Sequence, residues 1–312
     1  VDIGGTKILT AVYDPGKKSI LAEKKIKTPK NGTPRETLQQ IRSVADELLR
    51  EIRIPEQKIR KMGFAIPGTV NPEEGVIGVA PNLGWKQVPF ASITRDIFPW
   101  KTHIGNDVNM ALWGELHHPA MDITAHPMVY GIFCGTGIGG ALAINGHIWS
   151  GPGFGAGEIG HIRVVENGEK CGCGNRGCLE TMIGKEGVRR FLLANGGESR
   201  KSPFYEVLRE KDSRIKASAI KKALARKDPS AVKLRKHCLK YLSTGIISLI
   251  HIMNPNLILL GGGMMDAFDG TFLDHLREIV KRENIMGDHA KTELVLSRYG
   301  DHAGVMGAAL AE

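Results

Sequence analysis

Apolar residues along the chain follow two spacings. In the segment Pro34–Ile52, Leu38, Ile41, Ala45, Leu48 and Leu49 recur three or four positions apart, which predicts a helix. The opening VDIGGTKILTAVYD reads as a strand, a glycine turn and a second strand, and Lys24–Thr28 continues the sheet. Met62–Ile66 is a short apolar strand followed by the loop PGTVNPEEG, and GVIGVAPNLGW adds a further strand and loop. His103–Ile104 end a strand, after which the polar GND turn leads into an apolar-spaced helix, DVNMALWGEL.

The segment Val129–Trp149 repeats the opening plan. Gly135-Thr136-Gly137 falls where Gly4-Gly5-Thr6 falls, and Asn145-Gly146 answers Pro15-Gly16. A repeat at the level of supersecondary units implies two related α/β domains facing each other. Further helices are expected over Ile183–Ala194, Ala217–Ala225, Ala231–Met253, Phe272–Lys281 and AGVMGAALA, with buried strands at NLILLGGG and Glu293–Leu296. Strands followed by helices throughout predict an α/β architecture.

At 312 residues the chain is long enough for two cores. Its 42% hydrophobic and 24% charged residues have the balance of a soluble globular protein. No apolar run approaches the roughly 18 residues of a membrane span, and no secretory signal pattern is present, so a cytoplasmic protein without a membrane partner is expected. The chain opens inside its first strand, at Val1, so a residue or two of the natural start is expected to precede it. The net charge of +9 raises the question of nucleic acid, but the charges read as spread along the chain, with short clusters at Lys221–Lys222 and Lys233–Lys240. Aromatic residues make up only 6%, too few for a base-stacking platform, and nucleic acid is not expected as the main partner. A basic surface equally suits anionic nucleotides and sugar phosphates.

The turn DIGGTK carries chemistry of its own. Glycines let backbone N–H groups approach a phosphate, Thr6 and Lys7 add a hydroxyl and a positive charge, and Asp2 can hold magnesium through water. A ligand-free glycine hairpin is an equal reading for one such loop. Gly135–Gly137 and the third glycine loop, Gly261–Gly263, shift the balance toward a nucleotide site. Neither the Walker pattern GxxxxGK[ST] nor an opening strand–GxGxxG–helix unit is present.

The run EIGHIRVVENGEKCGCGNRGCLE holds His161, Cys171, Cys173 and Cys178, the ligand count of a Cys₃His zinc site. Gly172, Gly174 and Gly177 relieve crowding around such closely spaced ligands. Free thiols or disulfides are the alternative, and cysteines one residue apart bridge poorly. A closed site of this kind leaves no position for water, so the zinc is expected to be structural, pinning His161, Glu158 and Glu180. Cys134 and Cys238 are expected as buried apolar groups. In the GND turn, Asp107 can accept a proton from an attacking hydroxyl and Asn106 can position the same substrate, although helix capping is the commoner duty for such residues.

Together DIGGTK, GND and EIGH…CGCGNRGCLE resemble the ROK family of sugar kinases and sugar-responsive repressors, over nearly the whole chain. The resemblance implies a two-domain α/β fold of the actin/hexokinase (ribonuclease H-like) type, with a cleft between domains of residues 1–117 plus 298–312 and 118–297. It implies an ATP- and magnesium-dependent hexose kinase, expected to convert glucose to glucose 6-phosphate, with Asp107 as catalytic base. Gly68, Asn106, Glu158, His161 and Glu180 then resemble sugar contacts, His161 serving zinc through one ring nitrogen and sugar through the other. Gly4, Gly5, Thr6, Lys7, Gly135, Thr136 and Gly137 resemble the phosphate loops, and Gly261, Gly262 and Gly263 lie where adenosine packs. Gly184 departs from the family, which often carries serine after the CLE element. N-acetylmannosamine, N-acetylglucosamine and fructose are alternative sugars. A repressor of the same family, which would carry an added N-terminal helix-turn-helix, is the alternative of another class, and is expected less because only residue 1 precedes Asp2 here and the phosphate loop and Asp107 are intact. A homodimer is the default assembly.

Overall fold

The computed structural model describes residues 1–196, 201–209, 215–268, 270–287 and 291–311. The chain forms two compact units, Val1–Asp122 with His147–Ala156 and Asp301–Glu312, and Ile123–Gly146 with Gly157–Gly300.

The first unit is built on β1 (Asp2–Ile3), β2 (Lys7–Asp14), β3 (Ser19–Lys27), β4 (Lys61–Ile66) and β8 (Lys101–Asn106), ordered β3-β2-β1-β4-β8. β1 pairs antiparallel with β2 and parallel with β4, and β4 pairs parallel with β8. Because Asp2 faces Ala65 and Ile66 faces Asn106, the parallel strands finish at one edge. Helix α1 (Pro34–Glu51) covers the sheet with the apolar stripe expected for it. Its start is fixed by a capping box: Thr33 Oγ1 accepts from the Glu36 amide at 3.2 Å, and Glu36 Oε2 accepts from the Thr33 amide at 2.9 Å.

A small antiparallel sheet joins β5 (Thr69–Asn71), β6 (Val76–Ala80) and β7 (Trp85–Val88); β6 is the strand expected in GVIGVAPNLGW, whereas β5, β7 and helix α2 (Phe90–Ile97) lie outside the sequence expectations. They carry Phe90 against Phe64, edge to face at 5.2 Å, closing a core that includes Ile3, Leu38, Ile41 and Ile66. Helix α3 (Asp107–Leu116) packs on α10 (Ala303–Leu310) through Gly307, where any Cβ would overlap the Met110 carbonyl.

In the second unit β9 (Met128–Cys134), β10 (Ile138–Ile144), β12 (Leu257–Gly261) and β13 (Glu293–Leu296) run in the order β10-β9-β12-β13. The β9–β10 hairpin is antiparallel and the other pairings are parallel, so β9 and β12 also finish together, with Phe133 opposite Gly261. The helix expected over Ile183–Ala194 is α5 (Lys185–Ala194), and a separate short helix, α4 (Leu179–Ile183), precedes it. Gly184 separates them because its extended backbone (φ −67°, ψ 167°) ends one helix and starts the next.

The long helix α8 (Pro229–Met253) starts at Asp228, which accepts from the Ala231 amide at 3.0 Å, and ends at Asn254 in the left-handed region, φ 46°. Leu234, Leu242, Ile246 and Ile250 point from it into the core with Ile132, Leu179, Ile258 and Leu260. The positive charge is less evenly spread than the sequence reading held. Residues 216–240, spanning α7 (Ala217–Ala225) and the first half of α8, hold nine Lys/Arg against the single Asp228, nearly the whole net charge of +9. Among the described residues no helix is long and apolar enough to cross a membrane.

Candidate functional site

The carboxyl ends of β1, β4 and β8 gather the candidate residues of the first unit, the edge where open α/β sheets bind ligands. The turn after β1 closes through the Gly4 amide, which donates to Lys7 O at 2.9 Å. It is held on β3 by Thr28, whose amide donates to Thr6 O at 3.0 Å and whose hydroxyl donates to Gly4 O at 2.5 Å. Gly5, Thr6 and Lys7 are exposed. Lys7 Nζ lies 3.5 Å from Asp301 Oδ2, an exposed pair of little energetic weight. Burial raises the Asp2 carboxyl above its ordinary range, countered by Lys7 and reinforced by Asp301. A Cβ on Gly304, in the first turn of α10, would lie 3.2 Å from that carboxylate.

At the end of β8 the capping question is decided by the backbone. Asn106 is extended (φ −60°, ψ 141°), and its Oδ1 accepts from the Val108 and Asn109 amides at 2.9 and 3.0 Å. Asn106 is therefore the helix cap, and Asp107 is the first residue of α3. The Asn106 amide also donates to Gly68 O at 2.9 Å and to Asp107 Oδ1 at 3.1 Å. One side chain thus joins the PGTV loop, the start of α3 and the candidate base. Asn109, one turn along, donates to Ser150 Oγ at 3.3 Å, a contact with no sequence signal.

In the second unit the turn after β9 repeats the first: the Gly135 amide donates to Gly137 O at 2.8 Å. The loop after β12 lies alongside. Gly262, at φ 85°, backs so closely on Cys134 that a side chain there would overlap its backbone, and the Met264 amide donates to Cys134 O at 3.0 Å. Cys134 and Cys238 are buried as expected, and burial pushes the Cys134 thiol up to about 12. A cavity of ≈ 380 Å³ elsewhere in this unit, lined by Ile250, Arg277, Asn284, Thr292 and Leu294 among others, includes none of the candidate residues.

His161, Cys171, Cys173 and Cys178 bring one ligand atom each to within 4.8 Å of one another. Cys171 Sγ lies 3.5 Å from His161 Nδ1, and Cys173 Sγ lies 3.7 Å from Cys178 Sγ. Tetrahedral zinc, with bonds of about 2.3 Å to sulfur and about 2.0 Å to nitrogen, sets its ligand atoms about 3.5 Å (N···S) and about 3.8 Å (S···S) apart. The donor set therefore fits zinc in number, type and spacing. Local bonds shape the knuckle: the Cys171 amide donates to Asn175 O at 2.8 Å and the Gly174 amide to Cys171 O at 3.0 Å. The Asn175 backbone lowers the exposed Cys173 thiol to about 7, which favours the thiolate a metal requires.

With Nδ1 toward the cysteines, His161 turns Nε2 toward Glu158, 3.9 Å from Oε2. Burial raises the Glu158 carboxyl; His161 lowers it and Glu180 raises it further. Glu180 stands in the first turn of α4, two residues after Cys178, and its Oε2 accepts from the Ile138 amide at 2.9 Å. His161, Glu158 and Glu180 are thus gathered beside the cluster.

The ROK family model matches residues 1–311. This chain belongs to the ROK family. It is 30% identical to the glucokinase of Streptomyces coelicolor over 312 residues, covering 99% of this chain and 95% of that protein. To the N-acetyl-D-glucosamine kinase of Yersinia pseudotuberculosis it is 28% identical, with 99% and 96% covered. A xylose repressor of Caldicellulosiruptor bescii is 28% identical over 79% of this chain and 60% of the repressor. Among solved structures, the ROK glucokinase of Streptomyces griseus, in complex with glucose and AMPPNP, superposes with a TM-score of 0.80 at 28% identity, over 99% of this chain and 97% of that one. The α/β fold of ROK kinases is therefore the fold of this chain.

Proposed function

We propose that this ROK protein is an ATP-dependent hexose kinase that transfers the γ-phosphate to the 6-hydroxyl of glucose. The observation that carries the reading is the division of labour at the GND turn. Asn106 makes the helix cap through the Val108 and Asn109 amides, of which Asp107 Oδ1 shares only that of Val108, and Asn106 Nδ2 holds the Asp107 carboxylate in place. Phosphoryl transfer depends on positioning and charge stabilisation more than on covalent chemistry. Asp107 accepts the proton of the sugar hydroxyl; Asn106 and the Gly68 loop orient the ring. Glu158, His161 through Nε2, and Glu180 take its other hydroxyls. The turns Gly4–Lys7 and Gly135–Gly137, closed by their first amides, turn their remaining N–H groups to the phosphates, with Gly261–Gly263 against adenosine. Asp2 would hold magnesium through water, and the ion would supply neutralising charge to the phosphates. Zinc at His161, Cys171, Cys173 and Cys178 would be structural. The glucose reading is supported by the glucokinase from Streptomyces coelicolor and by the Streptomyces griseus complex with glucose and AMPPNP.

A panel of glucose, mannose, fructose, N-acetylglucosamine and N-acetylmannosamine with ATP, scored by kcat/KM, tests this. Glucose is expected first, mannose next and the N-acetyl sugars weaker, since an N-acetyl group needs space beside Glu180 and the fixed His161. A tenfold or greater preference for another sugar overturns glucose and leaves the kinase. Sugar binding with no turnover for any sugar and ATP would place the chain with the repressors.

A further inference from the structure

Glu180 does more than point at the cluster. Its Oε2 accepts from the amide of Ile138, the first residue of β10 and the residue that follows the second glycine turn. Ile138 itself is buried, and the bond is part-buried. A Cβ on Gly137 would overlap Glu180 Oε2, so a side chain there would push the carboxylate away from the Ile138 amide. The turn is gripped a second time from the same stretch of chain, by the Lys185 amide donating to Thr136 O at 3.1 Å. On its other side Glu180 Oε1 meets Cys171 Sγ at 3.8 Å, and the residue that caps its helix is Cys178. Two of the four candidate metal ligands thus border the side chain that braces the turn.

We propose that Glu180 is a positioning residue for the phosphate-binding turn Gly135–Gly137, through which the Cys₃His cluster sets nucleotide affinity as well as sugar affinity. The proposal rests on the reading of that turn as a phosphate loop. A contact made only with sugar would leave the nucleotide untouched when Glu180 changes. A brace would not, and it needs only an acceptor oxygen at Ile138, which glutamine also supplies.

The test uses full-length, metal-loaded protein, with ATP titrated in the absence of sugar and hydrogen exchange of the Ile138 amide followed by NMR. Glu180→Ala is expected to weaken ATP at least fivefold and to speed Ile138 exchange at least tenfold at unchanged metal content. Glu180→Gln is expected to stay within twofold of wild type on both readouts while its sugar KM rises. Should the alanine variant not fold, Glu180→Asp, one methylene short of Ile138, is expected to behave as alanine does. Wild-type ATP affinity with a protected Ile138 in the alanine variant overturns the proposal, as does equal weakening of ATP by glutamine and alanine. If wild type itself binds no ATP, the phosphate-loop reading fails, and Ile138 exchange alone decides whether the brace exists.

Discussion

The two glycine turns share a backbone plan and differ in what holds them. Each follows a strand with a parallel neighbour, and each closes by one glycine amide onto a carbonyl across the turn, Gly4 to Lys7 and Gly135 to Gly137. The first is tied to its own sheet by Thr28 and leaves Thr6 and Lys7 exposed on the turn itself. The second has no charged side chain of its own and is braced from α4 and α5 by Glu180 and the Lys185 amide. Repetition of a supersecondary unit therefore does not repeat its support. The first unit keeps its polar groups on the turns, where sheet geometry alone places them. The second places its polar groups around a metal-ligand cluster, so their geometry depends on that cluster.

The largest effect that would separate the two regions is at Asp107. Asparagine there can still accept from the Val108 amide, as Asp107 Oδ1 does at 3.0 Å, so α3 keeps its start. It cannot take a proton. Asp107→Asn is expected to lower kcat by at least about 10²-fold, the usual scale for a general base. Metal content and sugar affinity should match wild type, because the cluster belongs to the other unit. Near-normal turnover would remove Asp107 from the chemistry.

Metal removal probes the opposite region. Freshly prepared protein is expected to carry about one zinc per chain, following the ligand count. Cys173→Ser, or exhaustive chelation, should lose that metal and raise the sugar KM by about tenfold or more, on the scale by which groups around a metal site act. Metal binding and local folding are coupled, so amide exchange should accelerate in the segment 161–180. The amides of Gly4–Lys7, held by Thr28, should keep their protection. Loss of protection in both turns would erase the distinction between them, and zinc-free protein with normal sugar affinity would remove the cluster from function.

What could be read without coordinates follows a physical rule. Periodicity finds α1 because Leu38, Ile41, Ala45 and Leu48 make one face, and the Cys₃His cluster is legible because its residues lie in one short stretch of chain. Helix α2 has helical spacing at Phe90, Ile93 and Ile97, but eight residues behind Pro89 make too short a run for periodicity to single out. Of the β5–β7 sheet only β6 is legible, in GVIGVA, because β5 and β7 are three and four residues long between glycine and proline turns. The break at Gly184 needed its backbone angles. Neighbouring Asn106 and Asp107 are both good caps, and only the extended backbone at 106 says which one serves. The Glu180 brace was invisible because its partner is a backbone amide, which every residue except proline carries.

The smallest expected effect tests whether the first unit really relies on local hydrogen bonds. Asn106 has two jobs: Oδ1 caps α3, and Nδ2 donates to Gly68 O and Asp107 Oδ1. Asn106→Ala removes both and is expected to cost about 1 kcal/mol of stability, the ordinary worth of such a cap. In a unit of this size that lowers Tm by about 3 °C. Asn106→Asp keeps an oxygen for Val108 and Asn109 but has no N–H for Gly68 or Asp107, and it sets a second carboxylate beside the first. Its Tm should therefore recover most of the way to wild type, while kcat falls with both variants because Asp107 has lost the donor that orients it. Zinc content should be unchanged in each. Equal losses of Tm in the two variants would show that the amide contact to Gly68, and not the cap, holds this turn together.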